Sequence, residues 1–551
     1  MGPIIRTCRL AAAVAALGLI PATAQTSVVR SGASTFVAAR AAANAGDARR
    51  AALLYASLAT ADPTDRVVAN RALAQAILAG DMRLALRLAR ARPPAGLAAD
   101  ARLLLIADEL KAGRLRSVAR AGLPPELLFL SPFLEAWGQA ERGDWRGAVA
   151  RLDKVSNDSP LAAQVPEQKA LILLGGGRIA EAQPLIAAAL LRAGGRAERL
   201  RVTYAAAMAR AGDRAAAAAL LQGRDVTLRA ATDRLASGSP AELSIATPAQ
   251  RFAETLAGLA IALNAGAETS LPLALAQIAR FADPGNDQAT VLLGLLLGRA
   301  GRSDDALAVL RTISDRAIFA SEAHDSEIRV LLQGQRREEA LARAQAFVTG
   351  AAVTADDWSR LGDVFDAMGR HGEAADAFAR ALALVERGGP GSEPWSLQLM
   401  RGAALEQAGR WAEGEQALEA AHALAPDNPV VLNYLGYARL ERGEQLDEAE
   451  ALIAEASRRA PDDASITDSL GWAQYKRGKF REAIATLERA ATADPGQAEI
   501  HEHLGDALYA AGRKYEARFA WNAALVAAED DVRKRVEAKL ASGLSKASAA
   551  P

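Results

Sequence analysis

The sequence predicts an all-α chain, folded as a superhelical solenoid of antiparallel helix pairs, and three observations predict it. Glycines and prolines recur in phase: Gly402, Gly436, Gly471 and Gly505 are 34, 35 and 34 residues apart, and Pro426, Pro461 and Pro495 are 35 and 34 apart. Hydrophobic residues make up 51% of the 551, yet aromatics are only 5%; Ala and Leu, both strong helix formers, supply most of the rest, and the residues that favour sheet are comparatively few. Small side chains such as Gly471 and Ala483 fall where two paired helices approach, with Leu470 and Leu487 filling the remaining space. A larger residue at either small position would push the pair apart. One pair cannot bury its whole apolar surface, so such units come in stacks.

From the N-terminus, the first element is not part of this fold. Arg6 and Arg9 precede an apolar run over residues 10–20, and Ala22 and Ala24 form an A-x-A arrangement after it. This pattern predicts a secretory signal over 1–24, cut after Ala24, and hence a periplasmic location in a two-membrane bacterium. Eleven apolar residues are too few to span a bilayer, which needs about 20, and no later stretch approaches that length, so an integral membrane protein is not expected. Cys8 is the only cysteine and precedes the apolar run, unlike the cysteine of a lipoprotein signal. Cleavage removes it, which excludes disulfides, a thiol nucleophile and any cysteine-based metal site. Lys plus Arg (65) balance Asp plus Glu (65), so no global field draws the chain to nucleic acid.

Residues 25–236 read as degenerate repeats: Gly46, Gly80, Gly113, Gly143, Gly177 and Gly212 keep the phase at intervals of 34, 33, 30, 34 and 35. A Ser-, Pro- and Gly-rich stretch at 237–250 reads as a loop. Residues 251–350 resume the pattern through Leu293, Gly294, Leu297, Gly301, Ala306 and Leu310. The block 351–528 matches best, broken only by a longer turn at 386–395 and by one inserted residue near Gln445 to Asp447. An amphipathic end helix and a flexible tail are expected over 529–551. Within each unit a turn glycine such as Gly478 allows a left-handed residue after the first helix, and Pro495 stops the second.

In the best block, Leu470, Gly471, Ala483, Leu487, Ala490 and Pro495 resemble the signature of the tetratricopeptide repeat (TPR) family, with Gln474 departing from the large side chain usual there. Flanking units match through Leu435, Gly436, Ala449, Ile453 and Ala456, through Leu504, Gly505, Leu508, Ala517, Trp521 and Ala524, and through Trp358, Leu361, Gly362, Phe365, Ala374, Phe378 and Ala381. The resemblance implies that the first helix of each pair lines a concave groove. Candidate partner contacts there are Asn433, Tyr437, Asp468, Trp472, Tyr475, Lys476, Glu502, Asp506 and Tyr509. The aromatics form either a peptide-binding strip or packing between neighbouring helices. Family members that clamp a C-terminal carboxylate use Lys and Asn where Asp468 and Trp472 stand, so that clamp is absent. A groove bearing Asp468, Glu502 and Asp506 is expected to prefer a basic or neutral segment.

No other pattern carries chemistry. His501 and His503 are two apart, about 200° around a helix, and cannot face one metal together. Gly175, Gly176 and Gly177 lack the Lys-Ser/Thr that a phosphate loop needs. Catalytic residues, cofactors and metals are therefore not expected. The expected function is a non-catalytic scaffold binding a protein or peptide during envelope assembly or secretion. The alternative is an accessory subunit of polysaccharide synthesis or export.

Overall fold

The computed structural model describes residues 32–238, 245–264, 269–350, 353–545 and 550. The expected signal at 1–24 lies outside them, as do residues 239–244 of the expected loop. Among the described residues there are thirty α-helices, several short 3-10 turns and no strand. The chain divides into two compact units, one ending at Leu105 and one beginning at Ile106.

The first unit pairs helix Gly32–Asn44 with Ala48–Ala61 and Arg66–Leu78 with Met82–Arg90. Its core is mostly alanine, with Ala39, Ala51, Ala69 and Ala72 buried around Tyr55; such small side chains let backbones approach closely. The turn inside each pair is built by a Gly-Asp sequence. Gly46 and Gly80 take φ of 76°, and the following Asp47 and Asp81 accept the N–H groups of Arg50 and Leu84 at 3.0 and 2.9 Å. Each carboxylate satisfies a donor that the new helix leaves open.

The second unit repeats the plan with a variation. Asp144 and Asp213 cap their helices in the same way. In several other pairs the residue after the turn glycine is Arg, and it pairs with an acid three residues on: Arg370 with Glu373, Arg410 with Glu413, Arg513 with Glu516. Each acid sits in the first helical turn, where the helix dipole favours negative charge; the exposed pairs themselves contribute little.

The small positions work as the spacing predicts. A Cβ placed on Gly471 would lie 2.5 Å from Leu487 Cγ, and Cβ atoms on Gly402, Gly362 and Gly505 would strike Leu418, Phe378 and Trp521. The inserted residue of the 35-residue unit is also visible. Between Pro429–Arg442 and Leu446–Arg459, Gly443 takes φ 71° and Gln445 takes φ 47°. The extra residue is absorbed by a second left-handed position.

Two features follow from tertiary packing alone. Within the second unit the array coils back on itself: Gly391 N–H donates to Arg224 O at 2.8 Å, and Arg224 Nη2 donates to Val385 O at 2.9 Å. The long turn, expected at 386–395 and observed at 387–393 between helices His371–Glu386 and Pro394–Gln407, is thus a strut as well as a spacer. Helix Pro248–Leu263 is buried along most of its length, including Arg251 and Glu254. Glu254 accepts Arg199 Nη2 at 2.5 Å and Asn286 Nδ2 at 2.7 Å, and the neighbouring Glu167 holds Arg196 by two bonds of 3.0 and 2.9 Å. Burial pushes the Arg251 guanidinium down to about 10.

Candidate functional site

The first helices of the last three pairs, Pro429–Arg442, Ala464–Lys476 and Ala498–Ala510, carry all nine expected contact residues. Helix Asp530–Ser542 follows the last pair. Its Arg535 and Lys539 stand 33 residues after Glu502 and Asp506, so it occupies the place of the next first helix.

The acids are neutralised from within the chain. Glu502 is fully buried and accepts Arg535 Nε and Nη2 at 3.0 and 2.8 Å and Lys539 Nζ at 2.6 Å. Burial alone would raise its carboxyl, but the hydrogen bonds from Arg535 and Lys539 hold it below the usual carboxylate range. Asp506, also fully buried, accepts Trp521 Nε1 at 2.9 Å on one oxygen, and Lys539 Nζ at 2.7 Å and the Ala550 N–H at 3.1 Å on the other. Burial is the larger influence on Asp506 and raises its carboxyl despite the Lys539 contact. Asp468 faces His503, with Nδ1 at 3.0 and 2.9 Å from its two oxygens. The acidic groove expected for a basic partner is therefore not available: each of the three carboxylates already has its counter-charge.

The aromatics divide by burial. Trp472 is fully buried, donates Nε1 to Glu441 Oε1 at 3.0 Å, and stacks on Tyr475 and His503 at centroid distances of 4.6 and 4.3 Å. Its ring joins neighbouring helices, which is the packing role left open by the sequence. Tyr437, Tyr475 and Tyr509 are half-buried. Burial pushes the phenols of Tyr437 and Tyr475 upward. Lys476 is exposed, with its Nζ 3.5 Å from Glu441 and 5.1 Å from the Trp472 ring centroid. Asn433 is half-buried, and its buried Oδ1 accepts no hydrogen bond.

Sequence reasoning missed His503, Glu441, Arg535 and Lys539. His503 was visible only as a histidine without a metal partner, and His501 does face away, reaching Pro495 O at 3.1 Å. The signal for Arg535 and Lys539 was their 33-residue offset from Glu502 and Asp506; a face-by-face alignment of the end helix with its predecessors exposes it. Among the described residues, no group of His, Cys, Asp and Glu is placed to hold a metal ion, and no helix is long and apolar enough to cross a membrane.

Residues 326–393 and 469–532 match one tetratricopeptide repeat model and residues 405–470 match another, so the nine residues lie inside matched repeats. No match is found among curated proteins. Among solved structures, the chain is similar to yeast Tom70 at 10% identity and TM-score 0.39, covering 93% of this chain and 95% of that one. It is similar to the Cut9 and Hcn1 hetero-tetramer of the APC/C at 16% identity and TM-score 0.38, covering 91% and 96%. A tetratricopeptide repeat protein from Parabacteroides merdae matches at 14% identity and TM-score 0.37, covering 46% and 97%. Likenesses this distant say nothing about partner or role.

Proposed function

We propose that this chain is a non-catalytic scaffold for protein–protein interaction, exported to the periplasm and acting in envelope assembly or secretion through the groove of its last three helix pairs. The observation that carries the binding reading is the coincidence of matched tetratricopeptide repeats with half-buried tyrosines, Tyr437, Tyr475 and Tyr509, one on each successive first helix. Each offers a broad apolar ring with a hydrogen-bonding tip, the combination that recurs at binding hot spots. The basic, apolar and A-x-A pattern of residues 1–24 supports export.

The test is photo-crosslinking in intact cells from a reactive residue replacing Lys476, an exposed position. Trp472 is unsuitable because the ring is enclosed. The scaffold reading expects one envelope protein trapped reproducibly, with the adduct surviving glycanase treatment. Trapped glycan, or loss of a surface polymer on deletion without a protein adduct, overturns it in favour of a polysaccharide role. Fractionation checks location: a full-length chain retained in the cytoplasm sinks the export reading.

A further inference from the structure

Three described residues beyond the end helix return to the same three tyrosine-bearing helices. A Cβ on Gly543, which sits at φ 84°, would collide with the Tyr509 hydroxyl, so glycine alone fits there. Leu544 packs against the apolar cluster built on Leu504, Leu508 and Trp521, against which Tyr475 and Tyr509 also pack. Ala550 is 6% exposed, belongs to the cluster of Leu440, Ala449, Ile453, Trp472 and Ala473 with Tyr437 and Tyr475 at its edge, and donates its N–H to Asp506. Asp506 and Trp472 are thus met by Ala550 of the same chain.

We propose that this groove is a seat for an extended peptide of small residues, and that its resident occupant is the chain's own segment around Ala550, which a partner of the same chemistry must displace. The proposal rests on the groove reading above and names its ligand class and its regulation. The seat reads backbone rather than side-chain charge. Asp506 takes a main-chain N–H, a group every residue but proline offers, and its other bonds go to Lys539 and Trp521, so no free carboxylate remains to select a cation. Selection falls on size, because a methyl group fills the space among Leu440, Trp472 and Ala473. The local sequence is Ala547-Ser548-Ala549-Ala550, small at every position. A tethered segment competes at an effective concentration of roughly millimolar, so even a weak occupant keeps out a dilute competitor.

The experiment uses the whole chain and a chain ending at Ser545, which retains every described helix. A labelled peptide of residues 543–551 is titrated into both by fluorescence anisotropy. Expected is binding to the shortened chain, at least tenfold weaker binding to the whole chain, and no binding of the Ala550→Glu peptide. In parallel, a benzoylphenylalanine replacing Tyr437 in the whole chain is irradiated and the adducts are mapped. Expected is capture of the 547–551 peptide, lost in the Ala550→Glu chain. Absence of that adduct overturns the proposal whatever the titration shows, and so does equal peptide affinity for the two chains. The two readings fail separately. A partner trapped from Lys476 with equal yield in both chains leaves the scaffold standing without self-occupancy, and a mapped 547–551 adduct with no partner trapped leaves the reverse.

Discussion

His503 Nδ1 lies 2.9 Å from Asp468 Oδ2, and Trp472 stacks on the same imidazole, so one buried histidine joins the second-last and last first-helices by charge and by ring contact. Burial works against the imidazolium, but Asp468, with Asp506 and Glu502 beyond it, outweighs burial and raises the His503 pKa above its ordinary value.

The sign of the pH dependence follows from that shift. A raised folded pKa means that the pair's contribution is full below the unfolded value near 6.5 and is lost as pH rises through the folded pKa. Melting followed by circular dichroism from pH 6 to 9 should show stability falling with pH, and the His503→Gln chain should lack that component. Parallel curves for the two chains would refute the assignment.

Lys539 is the counter-charge for two fully buried carboxylates. Replacing one partner of a buried ionic group strands the other, which typically costs about 3–5 kcal/mol. Lys539→Met should therefore be strongly destabilising in urea unfolding, chiefly by stranding Asp506 because Glu502 keeps Arg535, and the additional change Asp506→Asn should recover part of the loss. No recovery would show that Lys539 acts through packing of its stem.

Gly471 and Leu487 are mutually fitted. Gly471→Val places atoms where Leu487 stands and should cost about 1–3 kcal/mol. Leu487→Ala alone leaves a cavity and should cost about 2–5 kcal/mol. The double variant should be less destabilised than the sum, with a coupling of about 0.5–3 kcal/mol for side chains in contact. Strict additivity would mean that the two positions do not meet.

Gln445 holds φ 47°, a left-handed conformation that costs a side-chain-bearing residue about 1–2 kcal/mol. Gln445→Gly should stabilise by about 0.5–1 kcal/mol after allowing for the greater freedom of glycine in the unfolded chain. Gly478→Ala, at φ 74°, should destabilise by about 1 kcal/mol. Opposite signs at the intra-pair turns of two successive repeats are the diagnostic result.

Much of the architecture was legible because the period is written in residues that only one geometry tolerates. Gly436, Gly471 and Gly505 each meet a large side chain or backbone of the paired helix, and the one-residue insertion near Gln445 appears where the spacing changes from 34 to 35. The site was less legible. Placing Asp468, Glu502 and Asp506 on one face required only the helical repeat, but their pairing with His503, Arg535, Lys539 and the Ala550 N–H depends on groups 33 to 44 residues away.

By itself the sequence determined the helix pairs, their phase and the small positions that set their spacing, because these are local constraints of backbone conformation and close approach. Tertiary structure alone decided that Trp472 is enclosed, that Arg224 is strutted to Gly391, that the Pro248–Leu263 helix is buried with its charges, and that the groove acids are already neutralised. Whether a charge is free or paired depends on which distant groups the stacked helices bring within about 3 Å, and no local pattern encodes that distance.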